Sequence, residues 1–437
     1  MRNEPMICSN ITVSEAGILH FAGQNTLELA KQYGTPVYLM DEDRIRDRCR
    51  TYVNAMASAL GEKGHVLYAS KAASYKRMYE IMLEEGMGID VVSSGEVCTA
   101  LKAGFPLSKA FFHSNNKTDA DIRYAMENGI GFFVVDNEEE LFAIDTIARG
   151  MGKCQPVILR LTPGIDPHTY EEVATGKVDS KFGSAIETGQ AEAITRLALS
   201  LDNIALKGFH CHVGSQVFDS DVYIATVDIM LDFVALAKKK FGFDTEILDL
   251  GGGYGVRYTA DQPEIDIAAN IHQVAAALQA AAARLEIALP HIYMEPGRSI
   301  VADAGMTLYT VGTVKRIPGY KNYVSIDGGM SDNPRFALYG SAYTCLLANK
   351  MDEPCEFECS LVGRCCESGD IIQEQVMMPA SVSRGDIAAV CTTGAYNYTM
   401  SSNYNRITKP PVVMLSGGKS YVAVRRETLD DLCRNDL

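Results

Sequence analysis

Apolar and polar positions alternate along this chain with two different periods. Short runs rich in β-branched and aromatic residues, at 66–69, 89–92, 110–112, 132–135, 157–161, 205–209, 246–250 and 292–294, read as strands. Between them, stretches such as 75–85, 94–103, 138–148, 189–200, 222–240 and 267–285 place apolar residues three and four apart, the spacing of a helix that buries one face. Eight strand–helix alternations predict a (β/α)8, TIM-like barrel. A polar, hairpin-like opening runs through about residue 32. Beyond about residue 301 the helical period stops, and from residue 307 β-type runs alternate with the turn pairs Pro318-Gly319, Gly328-Gly329, Ser368-Gly369 and Gly417-Gly418. The predicted fold class is therefore α/β plus all-β. The barrel is expected at 34–300, and a β-sandwich or β-barrel domain at 1–33 and 301–437.

Each strand run leads directly into chemically marked residues: Lys71, Ser93-Ser94-Gly95, His113-Ser114-Asn115, Asp136-Asn137, Thr162-Pro163-Gly164, His210 to Ser215, Gly251 to Gly255, and Glu295 to Arg298. In a barrel these fall at the carboxyl-terminal face, where barrel enzymes keep their active sites, with a phosphate site common in the loops after the last two strands.

Composition narrows the possibilities. A length of 437 residues with 47% hydrophobic and 22% charged content is that of a globular protein of two or three domains. The 40 basic and 55 acidic residues give a net charge of −15, which argues against nucleic acid or an anionic membrane as partner. The apolar runs are far too short to span a bilayer, and Met1-Arg2-Asn3-Glu4-Pro5 lacks a signal-peptide pattern, so a cytoplasmic location is expected. Twelve scattered cysteines, including the adjacent Cys365-Cys366, lack the paired spacings of a zinc module and read as reduced thiols.

Taken alone, a lysine just past a strand is an ordinary solvated residue, and a glycine triplet is an ordinary turn. Their combination is more specific. Gly251, Gly252 and Gly253 let backbone N–H groups approach a phosphate, and Gly297 with Arg298 supplies a second glycine-containing loop and a cation. His210 and His212 share one side of a strand end; without a carboxylate-rich cluster beside them they suit stacking on a flat ring better than binding a metal, and none is expected. Ser215 and Gly214 then lie near the phosphate, and Glu295 is placed to hold a proton on a heteroaromatic nitrogen, its plainer use being an ion pair with Arg298. A lysine anchor, a phosphate cradle, a stacking histidine and a carboxylate for a ring nitrogen together describe a site for pyridoxal 5'-phosphate, with Lys71 as covalent anchor.

The segments Tyr68-Ala69-Ser70-Lys71-Ala72, Asp179-Ser180-Lys181-Phe182-Gly183, His210-Cys211-His212-Val213-Gly214-Ser215, the glycine loop, Glu295-Pro296-Gly297-Arg298 and Cys366-Glu367-Ser368-Gly369-Asp370 resemble, in order and over nearly the whole chain, the barrel-type pyridoxal-phosphate decarboxylases, and most nearly their diaminopimelate branch. The resemblance implies a homodimer whose two active sites are each completed by the neighbour's β domain. It implies that Lys71 carries the cofactor, His212 stacks on the ring, Glu295 binds the pyridine nitrogen, and Ser215, Gly252, Gly253, Gly297 and Arg298 hold the phosphate region. Tyr396 is implied near cofactor and substrate, Cys366 as the proton donor from the partner subunit, and Glu367 at the substrate's distal amino group.

Substrate choice turns on the far end of an amino acid. A second carboxylate calls for a guanidinium, its natural bidentate reader. Arg298, and Arg335 with Tyr339 in Asn333-Pro334-Arg335-Phe336-Ala337-Leu338-Tyr339, match the family positions for that task, whereas Gly340-Ser341-Ala342-Tyr343 and Arg364-Cys365 depart from its commoner versions. The expected reaction is decarboxylation of meso-2,6-diaminopimelate to L-lysine. The alternatives are a decarboxylase for another basic amino acid, such as D-ornithine, D-lysine, ornithine or arginine, and a non-catalytic cofactor-binding homologue. A racemase of related fold would need a tyrosine base where Cys366-Glu367 stand.

Overall fold

A computed structural model describes residues 6–165 and 180–437. They form two compact units, one of residues 48–255 and 265–299, the other of residues up to 47, 256–264 and 300–437.

The first unit is a closed barrel. Its strands are Gly64–Ala69, Gly88–Val91, Ala110–Phe112, Phe132–Val135, Gln155–Thr162, Ile204–His210, Ile247–Asp249 and His291–Met294. Each pairs in parallel with the next, and the eighth returns to the first through Tyr293 opposite His65. Inside, Leu67, Phe111, Val134, Ile158 and Ile247 form one buried cluster with Phe132 and Tyr293 against it. This is a packed core of branched and aromatic side chains from successive strands, as a barrel interior requires.

Helices follow the strands, and their starts are written in the marked residues. Ser93 caps the helix Ser94–Lys102, and Asn137 caps Glu138–Gly150 by accepting from the Glu140 N–H at 2.9 Å. Part of the polar marking at the strand ends therefore serves helix capping. The helix Asp119–Glu127, outside the stretches read from periodicity, begins with a capping box between Thr118 and Asp121.

In the second unit, strands run in the order Ile371–Pro379, Cys355–Val362, Tyr323–Ile326, Gly305–Lys315, Val37–Asp41, Val412–Ser416, Lys419–Val424. A hairpin of Ile11–Val13 and Leu19–Phe21 packs Ile11, Leu19 and Phe21 into a core with Val37, Leu39, Met306, Leu308, Val413 and Leu415. Two expectations are corrected here. The hairpin-like opening ends before residue 32, since Thr26–Tyr33 is a helix capped by Asn25. The boundary at 34 is also too early: Val37–Asp41 lies between Gly305–Lys315 and Val412–Ser416 in the sheet, because its wholly buried run needs a partner on each side. Residues 256–264 likewise belong with the β unit, where the Tyr258 carbonyl accepts from Thr344 Oγ1 at 2.8 Å. Among the described residues no helix is long and apolar enough to cross a membrane.

Candidate active site

At the carboxyl-terminal end of the barrel the loops meet at close range. Lys71 sits in a single 3-10 turn, Ser70–Ala72, directly after the first strand, and is exposed. The N–H of Ala69, just before it, donates to the Pro296 carbonyl at 3.1 Å. A Cβ on Gly297 would lie 2.9 Å from Ala69 Cβ and 3.0 Å from its carbonyl oxygen, so only glycine lets the eighth loop approach the lysine turn this closely. Gly252 does the same for the seventh and eighth loops, since a Cβ there would stand 2.0 Å from the Glu295 carbonyl oxygen. The sixth loop is stitched to the seventh by bonds from Val217 N–H to the Gly253 carbonyl at 3.0 Å and from Gly255 N–H to the Val217 carbonyl at 2.9 Å. Arg298 is buried and directs Nε and Nη2 onto Ser215 Oγ at 3.2 and 2.9 Å.

Glu295 directly follows the eighth strand and is buried. Its Oε1 lies 2.6 Å from His113 Nε2 and its Oε2 3.3 Å from His210 Nε2. Burial alone would raise this carboxyl, but the two histidines hold it well below the usual carboxylate range. Around it burial prevails: Asp249 is pushed well above its ordinary value by burial and by Glu295 beside it, and Asp90 up to about 6 by burial against the opposing His113, Lys71 and Arg160. His210 is lowered to about 4 by burial, and His212 falls well below its ordinary value through burial and the nearby Lys71 charge. The arrangement sets an ionised Glu295 beside Asp249, which burial drives toward its neutral form, and beside the neutral imidazoles of His210 and His212. That charge pattern fits a carboxylate held ready for a protonated ring nitrogen, with the Ser215–Arg298 pair and the glycine loop suited to a phosphate.

The barrel end thus gathers Lys71, His212, Ser215, Gly252, Gly253, Glu295, Gly297 and Arg298 in one unit. Sequence reading marked His113 at this face without a role and missed Asp90, Glu96, Arg160 and Asp249 as parts of the site. The Lys71 charge acts on Asp90 and on Glu96, which burial pushes up to about 7. Arg160, lowered by burial, brings a cation toward Asp136, Glu295 and Asp90. Alternation along each strand would have pointed these residues inward, but only the barrel's closure brings residues 46 to 205 positions before Glu295 together with it. A single carboxylate stands by the His210 side chain: His113, His210 and Glu295 place ligand atoms within 4.8 Å of one another. Asp179, part of the resemblance, lies outside the described residues.

Arg335, Tyr339, Tyr396, Cys366 and Glu367 belong to the β unit. Arg335 opens the short helix Arg335–Tyr339 and is buried, not a solvated surface arginine. Its Nη1 donates to the Tyr343 hydroxyl at 2.8 Å and its Nη2 to Ser341 Oγ at 3.2 Å, so the guanidinium turns to the segment after Tyr339. It also lies over the rings of Tyr258, Tyr343 and Tyr396, 5.1, 5.7 and 6.0 Å from their centroids. Tyr396 holds a left-handed backbone, φ +62°. Cys366 and Glu367 form an exposed turn, with the Cys366 N–H bonded to Asn405 Oδ1 at 2.7 Å.

Comparison with known proteins agrees with this layout. Residues 42–302 match the family described as "Pyridoxal-dependent decarboxylase, pyridoxal binding domain". The chain is 41% identical to the diaminopimelate decarboxylase of Bacillus subtilis over 424 residues, 97% of this chain and 96% of that one. Among solved structures, diaminopimelate decarboxylase from M. jannaschii, also solved in complex with L-lysine, superposes with a TM-score of 0.89 at 31% identity, covering 98% of both chains. The lysine/ornithine decarboxylase of Vibrio vulnificus, complexed with putrescine, matches less well, with a TM-score of 0.75 at 25% identity over 90% of this chain and 97% of that one. The chain belongs to the diaminopimelate decarboxylase family of pyridoxal-dependent decarboxylases.

Proposed function

We propose that the protein removes the carboxylate at the D-centre of meso-2,6-diaminopimelate, giving L-lysine and carbon dioxide, as the last step of lysine biosynthesis in the cytoplasm. The names of its relatives support the reaction, and one observation carries the substrate: Arg335 is a buried guanidinium for which the described residues supply tyrosine and serine hydroxyls but no carboxylate. A buried cation left without an anion is costly unless a ligand brings one, and diaminopimelate brings a second carboxylate that D-lysine and ornithine lack.

Pyridoxal phosphate, when bound, accepts the electron pair left by the departing carbon dioxide. Lys71 would hold it covalently, His212 would pack on its ring, Glu295 would keep its nitrogen protonated, and Ser215, Gly252, Gly253, Gly297 and Arg298 would hold its phosphate region, with Tyr396 near substrate and cofactor. Arg335 and Tyr339, with Arg298, orient the substrate's carboxylates. Cys366 returns the proton to carbon and Glu367 meets the distal amino group, each serving the site of a second copy in a homodimer. The exposure of Cys366 and Glu367 on a single chain, and of Leu338 at 54% on the Arg335 helix, supports that assembly.

Purified protein loaded with pyridoxal phosphate is offered meso-diaminopimelate, D- and L-lysine, D- and L-ornithine and L-arginine separately. Carbon dioxide release from diaminopimelate, with L-lysine as product, is the expected result; release only from a monocarboxylic substrate overturns the assignment. Replacing Cys366 with Ala lowers turnover by on the order of 10²-fold while cofactor loading, read by absorbance, stays intact; equal loss of both contradicts the proton-donor role.

A further inference from the structure

The guanidinium of Arg335 is aimed by its neighbours. Of its donors, Nη1 goes to the Tyr343 hydroxyl at 2.8 Å and Nη2 to Ser341 Oγ at 3.2 Å. The Tyr343 hydroxyl, which accepts from arginine, also stands 3.5 Å from both Oδ1 and Nδ2 of Asn397. Asn397 is completely buried and fixed in turn, its Nδ2 donating to the Thr393 carbonyl at 3.0 Å. Tyr343 is held independently at its backbone, where its N–H bonds to Gln373 Oε1 at 2.8 Å, and at its ring, which meets Tyr258 edge to face with centroids 5.5 Å apart.

The chemistry of these partners is informative. An aspartate or glutamate in place of Tyr343 would orient Arg335 equally well, but it would neutralise it. Neutral hydroxyls orient the guanidinium and leave its charge, together with its remaining N–H groups, for a ligand. Burial acts to lower the charged form, and the electron-rich tyrosines around it act to keep it charged.

We propose that Tyr343, with Asn397 behind it and Ser341 beside it, is a positioning residue that sets selectivity for substrates with an anionic far end, by fixing Arg335 in a charged, aimed orientation. This rests on the reading of Arg335 as the partner of the distal carboxylate.

The test uses the full-length, cofactor-loaded enzyme with Tyr343→Phe, which keeps the ring and its packing on Tyr258 and deletes only the hydroxyl. The KM for meso-diaminopimelate rises about tenfold, the size expected for one hydrogen bond to a charged group. Meanwhile kcat and the inhibition constant of D-lysine, which lacks the second carboxylate, change by less than about twofold. Ser341→Ala, at a partly exposed residue, raises the same KM by about two- to threefold and covers the case in which Tyr343→Phe fails to fold. An unchanged KM in these variants, alongside a raised KM in Arg335→Gln, overturns the proposal and leaves Arg335 as carboxylate reader. An unchanged KM in Arg335→Gln as well overturns that reading with it. Loss of D-lysine binding in proportion to diaminopimelate marks Tyr343 as merely structural and also overturns the proposal.

Discussion

The two units each bury one decisive charge and treat it in opposite ways. Glu295, 6% exposed at the end of the barrel, has both carboxylate oxygens met by histidines from other strands. Arg335, 5% exposed in the β unit, has hydroxyls and aromatic faces around it and no acid among the described residues. Leaving a charge unpaired in a protein interior costs several kcal/mol, so the two environments are solutions to different problems. The anion compensated from within stays ionised whatever else is bound, which suits a group that serves a permanent cofactor. The cation left uncompensated gains most when an anion arrives, which suits a group that serves a substrate passing through. On the proposed roles, the carboxylate that serves the cofactor and the guanidinium that reads the second carboxylate lie in different units.

Substitutions that remove each charge sharpen the contrast. Glu295→Gln keeps the shape and deletes the anion; turnover falls by on the order of 10²–10³, with every accepted substrate affected alike in a kcat measurement. A small or substrate-dependent loss would mean that the histidine-clamped carboxylate is a structural feature. Arg335→Gln raises the KM for meso-diaminopimelate by about 30-fold or more and leaves kcat at saturation nearly unchanged, as steady-state kinetics would show; a fall in kcat with constant KM would place Arg335 in the chemical step.

The smallest effect is on stability. Burial holds His210 neutral until about pH 4 in the folded chain, whereas the unfolded chain protonates it near its ordinary value of about 6.5. Between those values only the unfolded chain takes up the proton, so stability falls as pH drops through that window and is unaffected above it. Replacing His210 with Asn therefore flattens the pH dependence of the urea midpoint between pH 6.5 and 4. An identical slope in the variant would show that His210 is not buried neutral as described.

Much of this was legible in the sequence because it is written locally. The eight strands follow from short β-branched runs, and Lys71, Ser215, Gly252, Gly297 and Arg298 stand immediately after them, where a barrel must place its site. What was not legible depends on closure. The partners of Glu295 sit on the third and sixth strands, 182 and 85 residues earlier, and no local spacing reports that His113 and His210 reach the same carboxylate. The alternative of a simple Glu295–Arg298 pair was equally reasonable from adjacency, yet the chain spends Arg298 on Ser215. Ser93 and Asn137 show the reverse error, in that helix caps and active-site groups share the same polar residue types at strand ends. The segment 256–264 joins the β unit although it is embedded in the barrel's sequence, because its contacts, through Tyr258, are made with residues 335–344.

The separation of the two charges is tested most directly by one ratio, the KM for meso-diaminopimelate over the inhibition constant of D-lysine, measured in the wild type, Glu295→Gln and Arg335→Gln. If Glu295 serves the cofactor and Arg335 serves the second carboxylate, the ratio stays at its wild-type value in Glu295→Gln and rises by about 30-fold in Arg335→Gln. A ratio that rises equally in both variants, or that is unmoved in Arg335→Gln, would contradict that division of labour.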